Sequence, residues 1–205
     1  MTTAQPTSFE RLRQRSRALL TGIIDPMVSV LHRLGVTPNQ ITILGLLASI
    51  GAGALLWTDH LVWGGILVLA GSAIDLLDGA LARRTNRATK LGAFLDSNLD
   101  RVSEAAIFFG LLAHFVGTGA KEEALLTVAV LVWTSMVSYV KARAEGLGYP
   151  CTSGIVTRPE RIILIGAGLI AGPITAFLYI TAILSFVTAC QRFMEVWRQG
   201  ERPAR

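Results

Sequence analysis

The sequence predicts an all-α membrane protein with six transmembrane helices and an N-terminal amphipathic helix at the cytoplasmic membrane surface. Hydrophobic residues make up 52% of the 205 residues and charged residues only 16%, and the mean hydropathy is +0.52. A soluble domain buries one face of each helix and is less apolar than this. The charged residues also cluster between long apolar runs. The chain length suits a single domain, residues 1–205.

Six apolar runs are candidate membrane spans, for which about 20 residues are typical. They cover approximately residues 40–57, 61–82, 91–116, 123–144, 155–171 and 174–192. Thr37 is a suitable N-cap for the first helix, because Pro38 follows at the first helical position. The last two spans are short and are separated by Gly172 and Pro173. We therefore expect a transmembrane core over residues 37–193.

The basic residues predict the orientation of these spans. With six spans and the N-terminus inside, every Lys and Arg except Lys121 lies on the cytoplasmic side, as the positive-inside rule requires. Residues 1–36 then form an interfacial segment in which Ser8 caps an amphipathic helix, and residues 194–205 form a cytoplasmic tail. A disordered basic N-terminal tail is the alternative. Because the net charge of +5 flanks apolar runs, we expect contact with the lipid bilayer and its anionic headgroups, and no nucleic-acid partner.

Four aspartates lie where membrane spans are expected, and charges there are costly and usually functional. Asp75 and Asp78 are three residues apart near the end of the second span, so they share one helix face. Asp96 and Asp100 are four residues apart near the start of the third span and share a face as well. The two spans are antiparallel and joined by a short basic segment. Their acidic faces are therefore expected to meet close to the cytoplasmic boundary.

This acidic group predicts a site for metal-bound phosphate. Four carboxylates in one place need counter-ions, and divalent cations that prefer oxygen ligands suit them. Two such ions form the usual clamp for phosphoryl transfer. Gly79 and Gly92 leave space for a substrate beside the backbone, and Arg83 can pair with phosphate oxygens. Ion pairing between the two helices through nearby basic residues is the structural alternative.

The same residues form a pattern that resembles a known family. The pattern D-x2-D-G-x2-A-R-x8-G-x3-D-x3-D is the signature of the CDP-alcohol phosphatidyltransferases. Every fixed position of it is present in this sequence, at Asp75, Asp78, Gly79, Ala82, Arg83, Gly92, Asp96 and Asp100. The six expected spans, the N-terminal helix and the chain length also resemble the family.

The resemblance implies a reaction and the residues that perform it. Two Mg²⁺ or Mn²⁺ ions would hold the diphosphate of CDP-diacylglycerol, with Asp75, Asp78, Asp96 and Asp100 as metal ligands. Asp100 would also be the catalytic base that takes a proton from an acceptor hydroxyl, whose oxygen attacks the lipid-side phosphorus so that CMP leaves. The residues implied for CDP-lipid binding are Asn39, Gln40, Ile41, Thr42, Gly79, Arg83 and Thr89. For Asn39 and Thr42, helix capping is the simpler alternative.

A second group of polar residues concerns the acceptor. Ser138 and Lys141 share a face at the end of the fourth span, and Arg158 and Arg192 also lie near the cytoplasmic boundary. Together they suit an acceptor that carries a phosphate, and membrane anchoring by positive charge is the alternative. The segments S-Y-x-K-A-R-A-E and R-P-E-R resemble those of phosphatidylinositol phosphate synthases. That resemblance implies 1D-myo-inositol 3-phosphate, also called inositol 1-phosphate, as the acceptor, with the same four residues holding its phosphate.

Other functions and assemblies are also compatible with these residues. Glycerol 3-phosphate carries a phosphate too, so a phosphatidylglycerophosphate synthase is an alternative. An ion-coupled transporter is the non-enzyme alternative, because buried acids also mark ion paths, but the sequence lacks the internal repeats usual in transporters. Gly45, Ser49 and Gly53 predict close packing of the first span, within or between chains. The resemblance implies a homodimer. The distribution of Lys and Arg predicts a cell-membrane protein with the active site and both termini on the cytoplasmic side.

Overall fold

The computed structural model describes residues 26–85 and 89–201, which form helices and the segments that connect them. The first helix, α1, is described over residues 26–33. The helices that follow are α2 Pro38–Trp57, α3 Leu61–Arg84, α4 Lys90–Thr118, α5 Lys121–Gly146, α6 Arg158–Ala171 and α7 Ile174–Gly200. Most of the predicted N-terminal amphipathic helix lies outside the described residues, as does the end of the predicted tail.

Threonines begin three of the helices that carry predicted site residues, α2, α4 and α6. The Thr37 N–H donates to the Gln40 side chain at 2.8 Å, and the Thr37 hydroxyl accepts from the Gln40 N–H, which makes a capping box at the start of α2. The Thr89 hydroxyl caps α4 by accepting a backbone N–H at 2.9 Å. At the start of α6, the Thr157 N–H donates to the Glu160 carboxylate at 2.8 Å. The predicted cap at Thr37 is therefore confirmed.

Helices α2 to α7 pack in a closed order, from α3 to α2, α4, α5, α7, α6 and back to α3. Helix α2 thus lies between α3 and α4, which pack on it more than on each other. The central apolar core consists of Ala52, Leu56, Val68, Ile107, Phe108, Leu111, Phe115, Val130, Ile162, Ile165, Leu169, Ile174 and Leu178. At one end of the bundle, Val28 of α1 packs against a second apolar group formed by Ile41, Leu77 and Leu81.

Small residues let α2 approach both of its neighbours closely. A side chain at Gly45 would collide with the carboxylate of Asp75 on α3. A side chain at Gly53 would collide with the carbonyl oxygen of Ala106 on α4, and one at Gly110 would collide with the carbonyl of Gly53. The close packing predicted for the first span is therefore made within the chain.

The outer surface of the bundle is apolar, as a membrane protein requires. Helices α2, α3, α5 and α7 are long and apolar enough to cross a membrane. Helix α4 has 29 residues but carries charged residues in its first half, and α6 has only 14 residues, or about 21 Å at the α-helical rise. Large exposed apolar side chains include Leu47, Trp63, Phe109, Leu125 and Ile183. The predicted all-α membrane class agrees with these features.

The helix connections differ between the two ends of the bundle. At one end they are the short turns 58–60, 119–120 and 172–173. Each turn contains a residue with a positive φ angle, namely Asp59, Gly119 and Gly172. At the other end, residues 147–157 form an irregular segment, so the fifth predicted span becomes helical at Arg158 and not at 155. Helix α7 continues beyond the predicted end of its span to Gly200.

Candidate active site

The four predicted aspartates line one cavity of about 270 Å³. Asp75 and Asp78 project into it from the last turns of α3, and Asp96 and Asp100 from the first turns of α4. Because α2 separates α3 from α4, the two acidic pairs face each other across a gap instead of pairing directly. The sequence prediction that these side chains come together is confirmed, and the gap is the space that a ligand can enter.

The cationic side chain of Arg158 lies in this gap. Its Nη1 atom is 2.8 Å from Oδ2 of Asp75 and 2.8 Å from Oδ1 of Asp100. The side chains of Asp75, Asp100 and Arg158 are only 12%, 17% and 16% exposed, so water screens these pairs poorly. Arg101 adds a more distant charge, with its Nη2 atom 4.0 Å from Oδ2 of Asp100. Arg158, predicted as an acceptor ligand, thus joins α6 to both acidic helices.

A hydroxyl on α2 orients Asp78. This aspartate is 6% exposed, and its Oδ2 atom accepts a hydrogen bond of 2.7 Å from the hydroxyl of Thr42. The same hydroxyl lies 3.1 Å from the carbonyl oxygen of Pro38. A buried carboxylate needs such a donor. The Thr42 side chain therefore stabilises Asp78 in addition to its contact at the start of its own helix.

The acidic cavity suits divalent cations by the chemistry of its donors. Four carboxylates provide an all-oxygen set, the kind that Mg²⁺ and Mn²⁺ prefer. Across residues 26–85 and 89–201, no three acidic, histidine or cysteine side chains converge as a ready-made metal site. The Arg158 guanidinium lies between Asp75 and Asp100 and serves as their counter-ion. The residues therefore fit metal ions provided that these two carboxylates release Arg158.

A second cavity, of about 190 Å³, lies between the start of α2 and the α3–α4 hairpin. Its lining includes the predicted donor-binding residues Asn39, Thr42, Gly79, Arg83 and Thr89. Two further residues predicted for CDP-lipid binding do not reach it. The Gln40 side chain is used in the helix cap, and Ile41 is 3% exposed in the apolar group around α1.

A third cavity, of about 380 Å³, is lined by cationic residues. All the residues predicted to hold the acceptor phosphate line it, namely Ser138, Lys141, Arg158 and Arg192. Sequence reasoning missed Arg101 and Arg161, which line it as well. A signal for both was present, since Arg101 directly follows Asp100 and Arg161 lies one turn after Arg158.

A buried ion pair lies behind this third cavity. Arg161 Nη2 is 2.9 Å from Oε1 of Glu104, and each side chain is 2% exposed. Glu104 lies one turn after Asp100 on α4, and Arg161 lies one turn after Arg158 on α6. The two helices therefore meet through two successive acid–base contacts, of which only the first borders the acidic cavity.

Arg192 is held by backbone carbonyls. Its Nη1 atom donates to the carbonyl oxygen of Val137 at 2.7 Å, and its Nε atom donates to that of Ser153 at 3.0 Å. Within the described part of the chain, none of the ion pairs involves Arg192. Since carbonyl oxygens orient the guanidinium without neutralising it, Arg192 keeps a full charge for an anionic ligand.

The three cavities share walls in a definite order. Asp78, Gly79, Arg83 and Asp96 line both the second cavity and the acidic one. Arg158 lines both the acidic cavity and the cationic one. The acidic residues therefore lie between a cavity built from the sequence signature and a cavity built from cations. Such an order would allow a phosphate held at the acids to meet one reactant from either side.

Comparison with known proteins agrees with this arrangement. Residues 35–199 match the family model described as CDP-alcohol phosphatidyltransferase. This chain belongs to the CDP-alcohol phosphatidyltransferase family. It is accordingly an enzyme of that class and a multi-pass membrane protein. The resemblance predicted from the aspartate signature is confirmed, and the transporter alternative falls away.

The sequence is similar to those of two named synthases. The chain is 39% identical to the phosphatidylinositol phosphate synthase of Mycobacteroides abscessus over 191 residues, which cover 88% of this chain and 86% of that protein. It is 38% identical to the archaetidylinositol phosphate synthase of Methanothermobacter thermautotrophicus over 202 residues, which cover 95% and 98% of the two chains.

A solved structure extends the likeness to three dimensions. The crystal structure of Mycobacterium tuberculosis phosphatidylinositol phosphate synthase with CDP-DAG bound matches with a TM-score of 0.77 and 33% identity. The match covers 85% of this chain and 94% of that one. Another crystal structure of the same enzyme, a complex with manganese and citrate, matches with a TM-score of 0.78.

Proposed function

We propose that this enzyme transfers the phosphatidyl group of CDP-diacylglycerol to a hydroxyl of inositol 1-phosphate and releases CMP. The proposal rests on one observation above all, the position of the acidic cavity between two others. One is the second cavity, called here the signature cavity because residues of the sequence signature line it, and the other is the third, cationic cavity. The names of the similar synthases, which refer to phosphatidylinositol phosphate and archaetidylinositol phosphate, support an inositol phosphate as the acceptor.

The CDP-lipid is assigned to the signature cavity. CDP-DAG bound to the similar Mycobacterium tuberculosis enzyme supports this donor. Arg83 borders both the signature cavity and the acidic cavity, where its guanidinium can pair with diphosphate oxygens. Gly79 keeps that guanidinium unobstructed, since a Cβ there would lie 3.3 Å from Nη1 of Arg83. Asn39 and Thr42 complete the wall of the cavity on α2.

The acidic cavity is assigned to the diphosphate and its metal ions. Two Mg²⁺ or Mn²⁺ ions, held by Asp75, Asp78, Asp96 and Asp100, supply neutralising charge to the diphosphate when bound. The complex of the similar enzyme with manganese supports a divalent ion. To take up this role, Asp75 and Asp100 would have to release Arg158, and its guanidinium would then be available on the side of the cationic cavity.

Asp100 is assigned as the catalytic base. It belongs to the acidic cavity, and its neighbours Arg101 and Arg158 belong to the cationic one, so it lies on the acceptor side of the acids. Its carboxylate takes the proton of the acceptor hydroxyl while that oxygen forms a bond to the lipid-side phosphorus. The bond between this phosphorus and the bridging oxygen breaks, and CMP leaves with the electron pair.

The cationic cavity is assigned to the acceptor phosphate. Ser138 can donate a hydrogen bond, and Lys141, Arg158 and Arg192 carry positive charge. Lys141 is held weakly by Glu145, with 3.8 Å between Nζ and Oε1. An acceptor without phosphate would leave the charge of Arg192, which backbone carbonyls hold, without an anionic partner. A phosphorylated polyol is therefore the preferred class of acceptor.

The membrane arrangement that accompanies this site has six spans. We propose that helices α2 to α7, whose bounds are given above, cross the bilayer and that the site and both termini face the cytoplasm. The predicted interfacial segment lies mostly outside the described residues. The distribution of Lys and Arg supports this orientation, with Lys121 on the other side. With Cys151 and Cys190 replaced by serine, an impermeant maleimide should label Lys121→Cys in spheroplasts and Glu201→Cys only after lysis. The enzyme is also proposed to be a homodimer, as family resemblance implies, which native mass spectrometry tests.

The central experiment is an acceptor screen. Release of CMP from CDP-diacylglycerol is measured for the purified protein with inositol 1-phosphate, glycerol 3-phosphate, inositol or serine, with Mg²⁺ or with a chelator. The expected result is metal-dependent release with inositol 1-phosphate. Faster release with glycerol 3-phosphate would make the enzyme a phosphatidylglycerophosphate synthase. Absence of acceptor-dependent release with every alcohol would refute the reaction itself.

A further inference from the structure

The irregular segment between α5 and α6 is fastened to one face of α7. Residues 147–157 form this segment, called here the α5–α6 loop. Side chains spaced by four, three and four residues on α7 bond to it, and they are Thr188, Arg192, Glu195 and Gln199. Such spacing places all of them on a single helix face. The loop is therefore held along its length, although it contains no helix of its own.

Among these four side chains of α7, Glu195 makes the most hydrogen bonds to the loop. Its Oε2 atom accepts from the Ser153 N–H at 2.9 Å, from the Ser153 hydroxyl at 2.6 Å and from the Thr152 N–H at 3.1 Å. Its Oε1 atom accepts from the Thr152 hydroxyl at 3.2 Å. Hydrogen bonds to a charged acceptor are stronger than neutral ones, so Glu195 is the main fastening of the loop.

The neighbouring contacts secure the two ends of the loop. The Gln199 side chain donates to the carbonyl oxygen of Pro150 at 2.8 Å. The Val156 N–H donates to the Thr188 hydroxyl at 3.3 Å, immediately before α6 begins. These bonds carry no charge and do not involve the residues that line the cationic cavity. They set the path of the chain, whereas the contact at Ser153 also involves a residue that lines the cationic cavity.

Ser153 connects Glu195 to the acceptor cavity. Its N–H and hydroxyl donate to Glu195, while its carbonyl oxygen accepts from Nε of Arg192. Arg192 lines the cationic cavity and is assigned to the acceptor phosphate. A shift of the Ser153 peptide therefore moves one of the two carbonyls that orient the Arg192 guanidinium. The other, at Val137, lies on α5 and does not depend on the loop.

Gly154 lets the loop pass close enough for this connection. Its φ angle is +134°, which side-chain-bearing residues rarely adopt. A Cβ at Gly154 would lie 2.8 Å from Cγ2 of Thr188 and 3.3 Å from Nε of Arg192. The backbone thus runs directly over the Arg192 side chain at a position where only glycine fits.

We infer that Glu195 is a positioning residue for acceptor binding, which acts through the Ser153 peptide on the Arg192 guanidinium and through the loop on the start of α6. This inference rests on the proposed function, because it assigns the cationic cavity to the acceptor. Glu195 itself does not line that cavity. Its loss should therefore weaken acceptor binding without changing donor binding or the chemical step.

The test compares Glu195→Gln with Glu201→Gln in the full-length enzyme. Glutamine keeps the shape of Glu195 but replaces one acceptor oxygen by a donor that faces N–H groups, and it removes the charge. We expect the KM for inositol 1-phosphate to rise about tenfold in Glu195→Gln, the size expected for lost charged hydrogen bonds, with the KM for CDP-diacylglycerol and kcat unchanged. Glu201 directly follows the same helix, and its side chain accepts a hydrogen bond of 2.8 Å from Nε1 of Trp197. It is not among the four side chains that hold the loop, so Glu201→Gln should match the wild type.

Ser153→Ala provides a milder variant in case Glu195→Gln does not fold. It removes the hydroxyl contact with Glu195 and keeps both backbone bonds. We expect a smaller rise in the acceptor KM and no further rise when it is combined with Glu195→Gln. Hydrogen exchange of a peptide covering residues 147–157 should be faster in both variants than in Glu201→Gln, whether or not substrates are present.

The outcomes separate this inference from the proposed function. If the wild type uses inositol 1-phosphate and the variants raise donor and acceptor KM equally, or raise neither, the positioning role is refuted and the function stands. If the wild type prefers another phosphorylated alcohol, the same KM comparison with that alcohol decides the role of Glu195. If the wild type uses no phosphorylated acceptor, both the assignment of the cavity and the role of Glu195 are refuted.

Discussion

Arg161 and Glu104 form a salt bridge of 2.9 Å in which each side chain is only 2% exposed. Removal of one partner leaves the other charge buried without compensation, which typically costs about 3–5 kcal/mol. We predict that Glu104→Gln destabilises the protein by about 3 kcal/mol. Thermal unfolding of the detergent-solubilised protein, followed by tryptophan fluorescence, measures the change.

The double variant Glu104→Met with Arg161→Met is the control for this prediction. It removes both charges and keeps apolar volume, and such replacements are often neutral or stabilising. We expect it to be more stable than Glu104→Gln. A double variant that is less stable than the single one would show that the pair does more than balance its own charges.

Asp100→Asn should abolish turnover and leave binding of the CDP-lipid measurable. An amide cannot accept the proton of the acceptor hydroxyl, and loss of a general base typically costs about 100- to 10,000-fold in rate. The measurement combines CMP release with binding of CDP-diacylglycerol. Asp59→Asn is the matched control, because Asp59 lies in the turn after α2 at a positive φ angle that asparagine tolerates. Wild-type rates for Asp100→Asn would remove Asp100 from the role of base.

Arg158→Ala should raise the acceptor KM far more than the donor KM. A lost hydrogen bond to a phosphate costs about 1.5–3 kcal/mol, so the KM for inositol 1-phosphate should rise about 10- to 100-fold. Steady-state kinetics with each substrate varied in turn gives both values. Arg143→Ala is the control, since Arg143 lies in the last turn of α5, shortly before the α5–α6 loop, but does not line the cationic cavity. Equal effects on the two KM values would place Arg158 outside the acceptor site.

Gly110→Ala should destabilise the contact between α2 and α4. The added methyl group would overlap the carbonyl of Gly53, and overpacking of this kind typically costs about 1–3 kcal/mol. Gly117→Ala on the same helix is the control, because a Cβ there would have no neighbour within 4 Å. Alanine also favours helix over glycine, so we expect Gly117→Ala to be neutral or slightly stabilising in a thermal unfolding assay. The opposite order of the two variants would contradict the packing described for α2.

Much of the architecture follows from patterns within short stretches of sequence. Apolar runs predicted α2, α3 and α5 closely, and Thr37 with Pro38 predicted the first helix start. Helical spacing also placed Asp75 with Asp78 on one face, and the structure brings this pair into the acidic cavity. These predictions succeed because each depends on neighbours within one or two helical turns.

The features that the sequence did not predict depend on which helices become neighbours. The position of α2 between α3 and α4 follows from tight backbone contacts at Gly53 and Gly110. The small residues of the first span predicted close packing, but no local pattern specifies which helices are its partners. Ile41 was predicted to bind the CDP-lipid, but apolar contact with α1 buries it. The pairing of Glu104 with Arg161 joins residues 57 positions apart, and only the packed bundle brings them together.

The connections at the two ends of the bundle differ in how much change of length and sequence they tolerate. Turns of two or three residues leave no slack, so an inserted residue there would rotate or shift a whole helix. The α5–α6 loop is fastened by individual side chains, and its sequence can diverge while the helices keep their places. A change in the α5–α6 loop can therefore alter one rim of the bundle without moving the four aspartates of α3 and α4.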